Sequence, residues 1–254
     1  NPKGVVRVTN PNLESLRRAE TDLLFAHLRP GMRVLELGGG NGLQARLLQE
    51  RGCAVTSLDI PGREQPAVQH FPVQDYDGIH IPAANESFDA IFSASVLEHV
   101  RDLPALLAEA RRVIAPGGFM LHLVPSPVWR FWTSVARYPF LVSDLFNPPP
   151  APAIPDPRSR LRIAASFVKS LVIEPPHGEY ANAFVELFAF REARWRRLFE
   201  ENGWEVSAAE GNGLFYTGYS TFPDLPIATR RRLAALLGSA CTLFVLRPAG
   251  GAPR

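Results

Sequence analysis

The stretch Val34-Leu35-Glu36-Leu37-Gly38-Gly39-Gly40-Asn41-Gly42-Leu43 passes from an apolar strand through four glycines into a helix-like segment. Glycine lets the backbone approach a ligand closely and adopt positive φ angles. In an open parallel sheet, ligands bind outside the carboxyl ends of the strands, and the first strand-to-helix turn is the usual cofactor loop. A tight turn that binds nothing is the alternative, and it explains one glycine better than four. The stretch therefore predicts a cofactor-binding loop.

The segments on either side of this loop alternate between strand and helix patterns. Mostly unbroken apolar strands separated by helices are typical of a parallel sheet that is covered on both faces. We therefore predict an α/β, Rossmann-like fold with a seven-stranded, mostly parallel sheet of six parallel strands and one antiparallel strand near the C-terminus. The predicted strands are 33–37, 54–60, 70–75, 88–95, 119–124, 204–210 and 241–248, and the predicted helices are 13–28, 43–52, 96–115 and 191–203.

The alternation breaks between residues 125 and 190, where aromatic residues surround a proline-rich segment. We predict one domain over 1–254, with 125–190 as a substrate cap inserted after the fifth strand. The alternative is that its aromatic rings cover the sheet or form a dimer contact. Residues 158–171 have the pattern of a basic amphipathic helix, a type that also contacts anionic membrane surfaces. The aromatic residues concerned are Trp129, Phe131, Trp132, Tyr138, Phe140 and Phe146.

Composition restricts the partners of the protein. The 254 residues are 46% hydrophobic, which is enough for a full core, and the net charge of +2 is too small to hold a nucleic-acid backbone. Cys53 and Cys241 lie far apart in apolar stretches, so we expect neither a disulfide framework nor a metal site. Signal-peptide and membrane-span patterns are absent from the sequence. These features predict a cytoplasmic protein that binds no nucleic acid, and they leave its oligomeric state open.

Two cofactor motifs overlap in the glycine-rich stretch. Residues 40–45, Gly-Asn-Gly-Leu-Gln-Ala, match the G-x-G-x-x-A pattern of dinucleotide-binding proteins, and Asp59 follows at a distance suited to a ribose. That pattern places its first glycine directly after the strand, whereas here Gly38 and Gly39 intervene. Glu36 lies inside the strand end. The register therefore disfavours a nicotinamide cofactor.

The same residues resemble the first motif of the class I S-adenosylmethionine-dependent methyltransferases, in the small-molecule branch with a methyltransferase type 11-like core. That motif is an acidic residue, any residue and then G-x-G-x-G, and residues 36–42 match it at every position. The resemblance extends over about residues 30–125. It implies S-adenosylmethionine as the cofactor. The other segments that carry it are Asp59, Asp77–Pro82, Ser87–Asp89, Leu97–Val100, Arg111–Val113 and Pro116–Gly118.

The resemblance also implies a set of cofactor contacts. Glu36 would favour the cationic amino acid end of S-adenosylmethionine, and Asp59 would accept from both ribose hydroxyls. Asp77 would accept from the adenine amine, the Gly78 amide would donate to a ring nitrogen, and the Ser93 carbonyl would accept from the ammonium. The alternatives are helix capping by Asp59 or Asp77 and a surface ion pair for Glu36. The implied cofactor-binding residues are Glu36, Gly38, Gly40, Asp59, Ile60, Asp77, Gly78 and Ser93.

Three residues are candidates for the chemistry. A sulfonium methyl is electrophilic, so transfer needs an aligned nucleophile and, for a hydroxyl acceptor, a proton acceptor. His99 follows the fourth strand, where the family places substrate-facing residues, although a helix histidine bonded to a carbonyl is the alternative. His177 and Glu179 cluster after a proline stop, with a purely local loop role as the alternative. His122 lies in a buried strand pattern and is expected in the core.

These features predict transfer of a methyl group to a small-molecule acceptor. We expect the acceptor to be a hydroxyl of a natural product, a saccharide or a lipid-linked intermediate, because the candidate histidines supply proton acceptors. A protein of the same fold that binds S-adenosylmethionine without turnover is the alternative from another functional class. A dehydrogenase is a third and weaker interpretation.

Overall fold

One mixed seven-stranded sheet organises the part of the chain that the structure describes. The structure is a computed structural model, and it describes residues 11–62, 68–146, 177–217 and 225–250. The strand order is β3-β2-β1-β4-β5-β7-β6, and β7 runs antiparallel to both of its neighbours while the other pairs are parallel. This arrangement confirms the predicted sheet. The strands are β1 (Arg33–Leu37), β2 (Ala54–Asp59), β3 (Gln74–Asp75), β4 (Phe88–Ala94), β5 (Ile114–Pro125), β6 (Trp204–Gly211) and β7 (Cys241–Pro248).

Helices cover both faces of this sheet. Successive β1 side chains alternate between two hydrophobic cores, since Val34 packs in one core and Leu35 and Leu37 pack in the other. Helices α1 and α2 contribute to the core that contains Val34, and α3 and α6 contribute to the opposite one. The helices are α1 (Pro11–Leu24), α2 (Leu43–Glu50), α3 (Leu103–Val113), α4 (Pro127–Phe146), α5 (Ala183–Ala189), α6 (Glu192–Glu201) and α7 (Ile227–Leu237).

The prediction of one long helix at 96–115 is wrong. A short 3₁₀ turn at Leu97–His99 comes first, and α3 begins only at Leu103. The Asp102 side chain accepts a hydrogen bond from the Ala105 amide at 3.1 Å, which caps α3 and separates it from the turn. Apolar residues keep a helical spacing across this break, so the sequence pattern did not reveal it. As a result, Glu98 and His99 lie on a tight turn directly behind β4.

Other boundaries differ by a few residues. Helix α1 ends at Leu24 and is followed by a turn, four residues before the predicted end. Strand β5 begins at Ile114 and includes the Pro116–Gly118 segment, which was predicted to separate helix and strand. Strand β3 has only two residues. Helix α7 was not predicted, because its sequence offers no polar N-cap and no clear apolar stripe.

The cap prediction for 125–190 can be followed only at its ends. Residues 127–146 form α4 and residues 183–189 form α5, and these two helices pack against each other. Residues 147–176, with the predicted basic helix, lie outside the described residues. Among the helices of the described ranges, none is long and apolar enough to cross a bilayer.

Candidate active site

The glycine-rich loop is tied to the end of β2 by its own backbone. The amides of Gly38 and Gly39 both donate to the Leu58 carbonyl, at 2.8 and 3.0 Å. The Gly40 amide donates to Oδ2 of Asp59 at 2.8 Å. Gly40 has a φ of 54°, and no atom lies within 4 Å of the place where a side chain would begin. The loop therefore presents open backbone at the carboxyl edge of the sheet.

Asp59 stands where the sequence predicted it, at the carboxyl end of β2. Its second oxygen, Oδ1, accepts from the Ile60 amide at 2.7 Å. Each oxygen thus has one backbone donor and keeps further acceptor capacity, because a carboxylate has about four lone-pair positions. Ile60 is 52% exposed beside it. This arrangement differs from the helix-capping alternative, because Asp59 holds the glycine loop.

Glu36 is buried beneath the loop, which contradicts the surface ion-pair alternative. Only 2% of the residue is exposed, and its Oε2 accepts from the Ser57 hydroxyl at 2.5 Å. Burial raises the pKa of Glu36 to about 7, with the hydrogen bond from Ser57 opposing that shift. A Cβ on Gly39 would lie 2.0 Å from the Ser57 hydroxyl and 3.0 Å from Glu36 Oε2. The middle glycine is therefore required by the packing over this carboxylate.

Asp77 is engaged within its own loop. Its Oδ1 accepts from the amides of Ile79 and His80 at 2.8 and 2.7 Å, and its Oδ2 lies 2.6 Å from His80 Nδ1. The hydrogen bond from the His80 ring, followed by those from the two amides, lowers the pKa of Asp77 to about 2. Gly78 has a φ of 89° in this turn. No helix directly follows Asp77, so these bonds close a local turn and do not match the helix-capping alternative, and the carboxylate remains exposed to a ligand.

Ser93 and His122 form a buried pair in the middle of the sheet. The Ser93 hydroxyl lies 2.7 Å from His122 Nδ1, and both residues are almost fully buried. The His122 ring stacks on Phe199 with 6.1 Å between centroids. Burial lowers the pKa of His122 to about 3, so the ring is neutral. His122 is a core residue, as expected.

A second polar group forms behind β4, and we call Glu98, His99 and His177 the Glu98 cluster. The Nε2 atom of each histidine lies 3.9 Å from Oε1 of Glu98, and the two rings are 4.9 Å apart. The Glu98 side chain is fully buried, whereas those of His99 and His177 are 43% and 33% exposed. The structure thus brings together two predicted residues that are far apart in the chain, and it adds Glu98 to them.

Burial shifts the pKa of each residue in the Glu98 cluster toward its uncharged form. Burial raises the pKa of Glu98 to about 8, and it lowers the pKa of His177 to about 4, with His99 and Arg130 adding to that shift. Burial also lowers the pKa of His99, against an opposing effect of Glu179. Each imidazole therefore has a free basic nitrogen at neutral pH.

Helices α4 and α5 hold the segment that carries His177. Oε1 of Glu186 accepts from the amides of His177 and Gly178 at 2.6 and 2.8 Å, and Glu186 also pairs with Arg130 at 3.3 Å. The Trp129 ring contacts the His177 ring edge-to-face at 4.7 Å. A polar residue on each helix and one aromatic ring thus fix the position of the imidazole.

Glu179 does not join the two histidines. Its carboxylate lies 3.3 Å from Arg101 Nε and is 48% exposed, while its amide donates to the Glu98 carbonyl at 3.1 Å. Arg101 and Glu179 line a cavity of about 250 Å³ together with Glu98, and neither histidine of the cluster lines it. Polar or aromatic residues that line this cavity include Glu98, Arg101, Glu179, Tyr180, Arg194 and Trp195.

Sequence reasoning missed the role of Glu98 and of Arg130, and it noted Glu186 only as a polar residue that follows the His177 segment. Glu98 was quoted only as part of a motif, although a charged residue inside the apolar run from Val96 to Val100 was a usable signal. Arg130 and Glu186 had no such signal, because their pairing depends on how α4 meets α5.

Comparisons with known proteins agree with this geometry. The model of a family described as a methyltransferase domain matches residues 12–209. The fold is similar to that of an S-adenosylmethionine-dependent methyltransferase from Mesorhizobium loti, with a TM-score of 0.52, 19% identity, and coverage of 90% of this chain and 97% of that one. It is also similar to 1,6-didemethyltoxoflavin-N1-methyltransferase from Burkholderia thailandensis, with a TM-score of 0.51, 14% identity, and coverage of 98% and 92%.

Curated relatives match a shorter part of the chain. Malonyl-[acyl-carrier protein] O-methyltransferase from Serratia marcescens is 40% identical over 98 residues, which are 36% of this chain and 38% of the relative. Ubiquinone biosynthesis O-methyltransferase from Cereibacter sphaeroides is 32% identical over 99 residues, which are 36% of this chain and 40% of the relative. The chain therefore spans about two fifths of the length of these relatives.

Proposed function

This chain belongs to the methyltransferase-domain family and has the class I fold of S-adenosylmethionine-dependent methyltransferases, and on that premise we propose that it methylates a hydroxyl group of a small-molecule acceptor. The observation that carries the proposal is the open backbone at Gly40, which Asp59 holds at the edge of the sheet while Glu36 lies beneath the loop. The Glu98 cluster, behind the neighbouring strand, supplies candidate proton acceptors. The candidate cofactor loop after β1 and the candidate proton acceptors after β4 thus follow neighbouring strands of the sheet.

The proposed cofactor contacts follow from the chemistry of the ligand. Asp59 has acceptor capacity left for the ribose hydroxyls, and the exposed Ile60 offers an apolar surface beside the adenine. Glu36 favours the cationic amino acid end from below the loop, whereas the fully buried Ser93 has no surface open to the ammonium that its carbonyl was expected to bind. Asp77 and Gly78 contact the adenine edge.

The methyl-transfer step requires from the protein only a proton acceptor and residues that position the acceptor. S-adenosylmethionine would supply an electrophilic methyl group, and its transfer to the acceptor oxygen would break the carbon–sulfur bond, leave the electron pair on sulfur and release S-adenosylhomocysteine. The hydroxyl proton passes to the neutral imidazole of His99 or His177. Glu179 and Arg101 position the acceptor at the mouth of the cavity. General-base help of this kind is worth about a hundred- to ten-thousandfold in rate.

The names of the relatives support an oxygen acceptor. Both relatives are named as O-methyltransferases, one of malonyl-[acyl-carrier protein] and one of ubiquinone biosynthesis. A carboxylate acceptor is already ionised and needs no base, whereas a hydroxyl does. The paired histidines favour the hydroxyl, as on a natural product, a saccharide or a lipid-linked intermediate.

Detection of the reaction products tests the proposal. The chain is incubated with S-adenosylmethionine and fractionated small-molecule extracts, and S-adenosylhomocysteine release is measured together with the mass of any compound that gains a methyl group. We expect acceptor-dependent release. Binding of the cofactor without acceptor-dependent release from any fraction would favour the alternative, a binding protein without turnover.

A further inference from the structure

We propose that Glu98, His99 and His177 bind a divalent transition metal ion, with zinc as the best match to the donors. No metal was expected from the sequence, because the two histidines are 78 positions apart and belong to no short metal motif. The binding claim is independent of the proposed function. Only its chemical role, described below, rests on that function.

The donor atoms lie almost close enough to share one ion. Zinc binds histidine nitrogen and carboxylate oxygen at about 2.0–2.2 Å, so two ligand atoms are about 3.4 Å apart at a tetrahedral ion and at most about 4.3 Å apart. Oε1 of Glu98 lies 3.9 Å from Nε2 of each histidine, and all three donor atoms lie within 4.8 Å of one another. Side-chain movements of less than about 1 Å would therefore close the site around an ion.

Glu98 provides the independent sign of a missing ligand. Its side chain is fully buried, and neither carboxylate oxygen has a hydrogen-bond partner within the described residues. Buried polar groups are nearly always satisfied in native proteins, and an exception calls for an explanation such as an ion. The cation that opposes the effect of burial on the pKa of Glu98 is Arg17, and its guanidinium donates to the Glu20 carboxylate at 2.8 Å. A cation between Glu98 and the two imidazoles would satisfy the buried carboxylate.

The three ligand residues and their exposure match those of a catalytic zinc site, which keeps one coordination position open. Two histidines and one carboxylate are a common ligand set for zinc that keeps a coordination position open. The protein encloses the Glu98 side, while the imidazoles remain partly exposed, so an incoming oxygen has access from one direction. The Glu186 carboxylate and the Trp129 ring already fix His177, as supporting residues do around metal ligands.

A bound ion would make the two histidines metal ligands in the proposed reaction, in place of proton acceptors. With metal bound, both imidazoles are ligands, and the acceptor hydroxyl loses its proton to water because its oxygen is bound to a cation. The metal then replaces an imidazole as the group that makes the hydroxyl nucleophilic. The methyl-transfer step and its leaving group stay the same.

Titration of the untagged, chelator-treated chain with zinc alone tests the site. We expect one equivalent to bind, and we expect cobalt to bind with an absorption spectrum that indicates tetrahedral or five-coordinate ligation. Glu98→Gln and His177→Ala should each weaken zinc binding at least about a hundredfold, because a direct ligand contributes more than the ten- to hundredfold of supporting residues. His27→Ala is the matched control, since it removes a histidine outside the cluster and should leave binding unchanged.

Two further measurements distinguish loss of the metal site from misfolding and from loss of the cofactor site. The melting temperature of each metal-free variant shows that it folds, and titration with S-adenosylmethionine shows that the cofactor site is intact. Zinc binding of equal strength in Glu98→Gln and the unmodified chain, or no binding of zinc or cobalt, would overturn the metal site. Cluster-dependent zinc binding by a chain that does not bind S-adenosylmethionine would support the site and contradict the proposed function instead.

Discussion

The glycine loop and the Glu98 cluster are both candidate functional regions, but they are built in opposite ways. The loop consists of residues close together in sequence, and backbone hydrogen bonds to Leu58 and Asp59 fix it. The cluster joins two segments that are 78 positions apart, and side chains from α4 and α5 fix it. Hydrogen bonds of its own amides hold the loop, whereas the cluster depends on the packing of side chains from separate helices. Substitutions in each region distinguish fixing by backbone hydrogen bonds from fixing by side-chain packing.

The largest effect is expected from the cluster. Of the variants His99→Ala and His177→Ala, the one that removes the proton acceptor should reduce methyl transfer by about a hundred- to ten-thousandfold, because the acceptor hydroxyl then loses the group that deprotonates it. Affinity for S-adenosylmethionine, measured by calorimetry, should remain within about threefold, since neither residue belongs to the loop. His27→Ala serves as the control. A loss of under threefold in both variants would leave positioning alone as the mechanism.

Two glycines of the loop form a matched pair. Gly38→Ala should lower the free energy of unfolding by about 2–5 kcal/mol, because a side chain at its φ of 76° is strained and its Cβ would lie 2.2 Å from Val96 Cγ2. Gly40→Ala should cost only about 1–2 kcal/mol, since its φ is 54° and its surroundings are open. Urea unfolding measures both. Equal costs would show that the packing against Val96 does not restrict the loop.

The pH dependence of stability tests the burial of Glu36. Its pKa is raised from 4.5 to about 7 in the folded state, so folding binds a proton between these values. The contribution is therefore fully present below about pH 4.5 and is lost as pH rises through about 7, by about 3 kcal/mol in all. Glu36→Gln removes this titration. The free energy difference between the two proteins should change with pH in that window, and a constant difference would contradict the burial.

The smallest effect is expected at the rim of the cavity. Glu179 pairs with Arg101 at 3.3 Å, and both side chains are exposed, so this pair is worth about 0–1 kcal/mol. Glu179→Gln should change the turnover rate by less than about tenfold and should leave cofactor affinity unchanged. A loss as large as that of His177→Ala would assign the carboxylate a direct part in the chemistry.

The two regions also differ in how far the sequence predicts them. Residues 33–59 follow local rules, so the strand bounds and the positions of the glycines and Asp59 are confirmed by the structure. The burial of Glu36 was not foreseen, because it depends on Ser57 in the neighbouring strand. His99 and His177 were each singled out, yet their contact with Glu98 depends on a break in the predicted helix and on the packing of α4 and α5.

Calorimetric titration with S-adenosylmethionine tests the central claim most directly, because it asks whether the glycine loop is a cofactor site. We expect one equivalent to bind, and we expect Asp59→Ala to weaken binding by about ten- to a hundredfold, or about 1.5–3 kcal/mol, because a doubly accepting carboxylate is lost. Glu205→Ala, on the exposed edge strand β6, should bind as the unmodified chain does. Absence of binding, or binding of a nicotinamide dinucleotide in place of S-adenosylmethionine, would contradict the account.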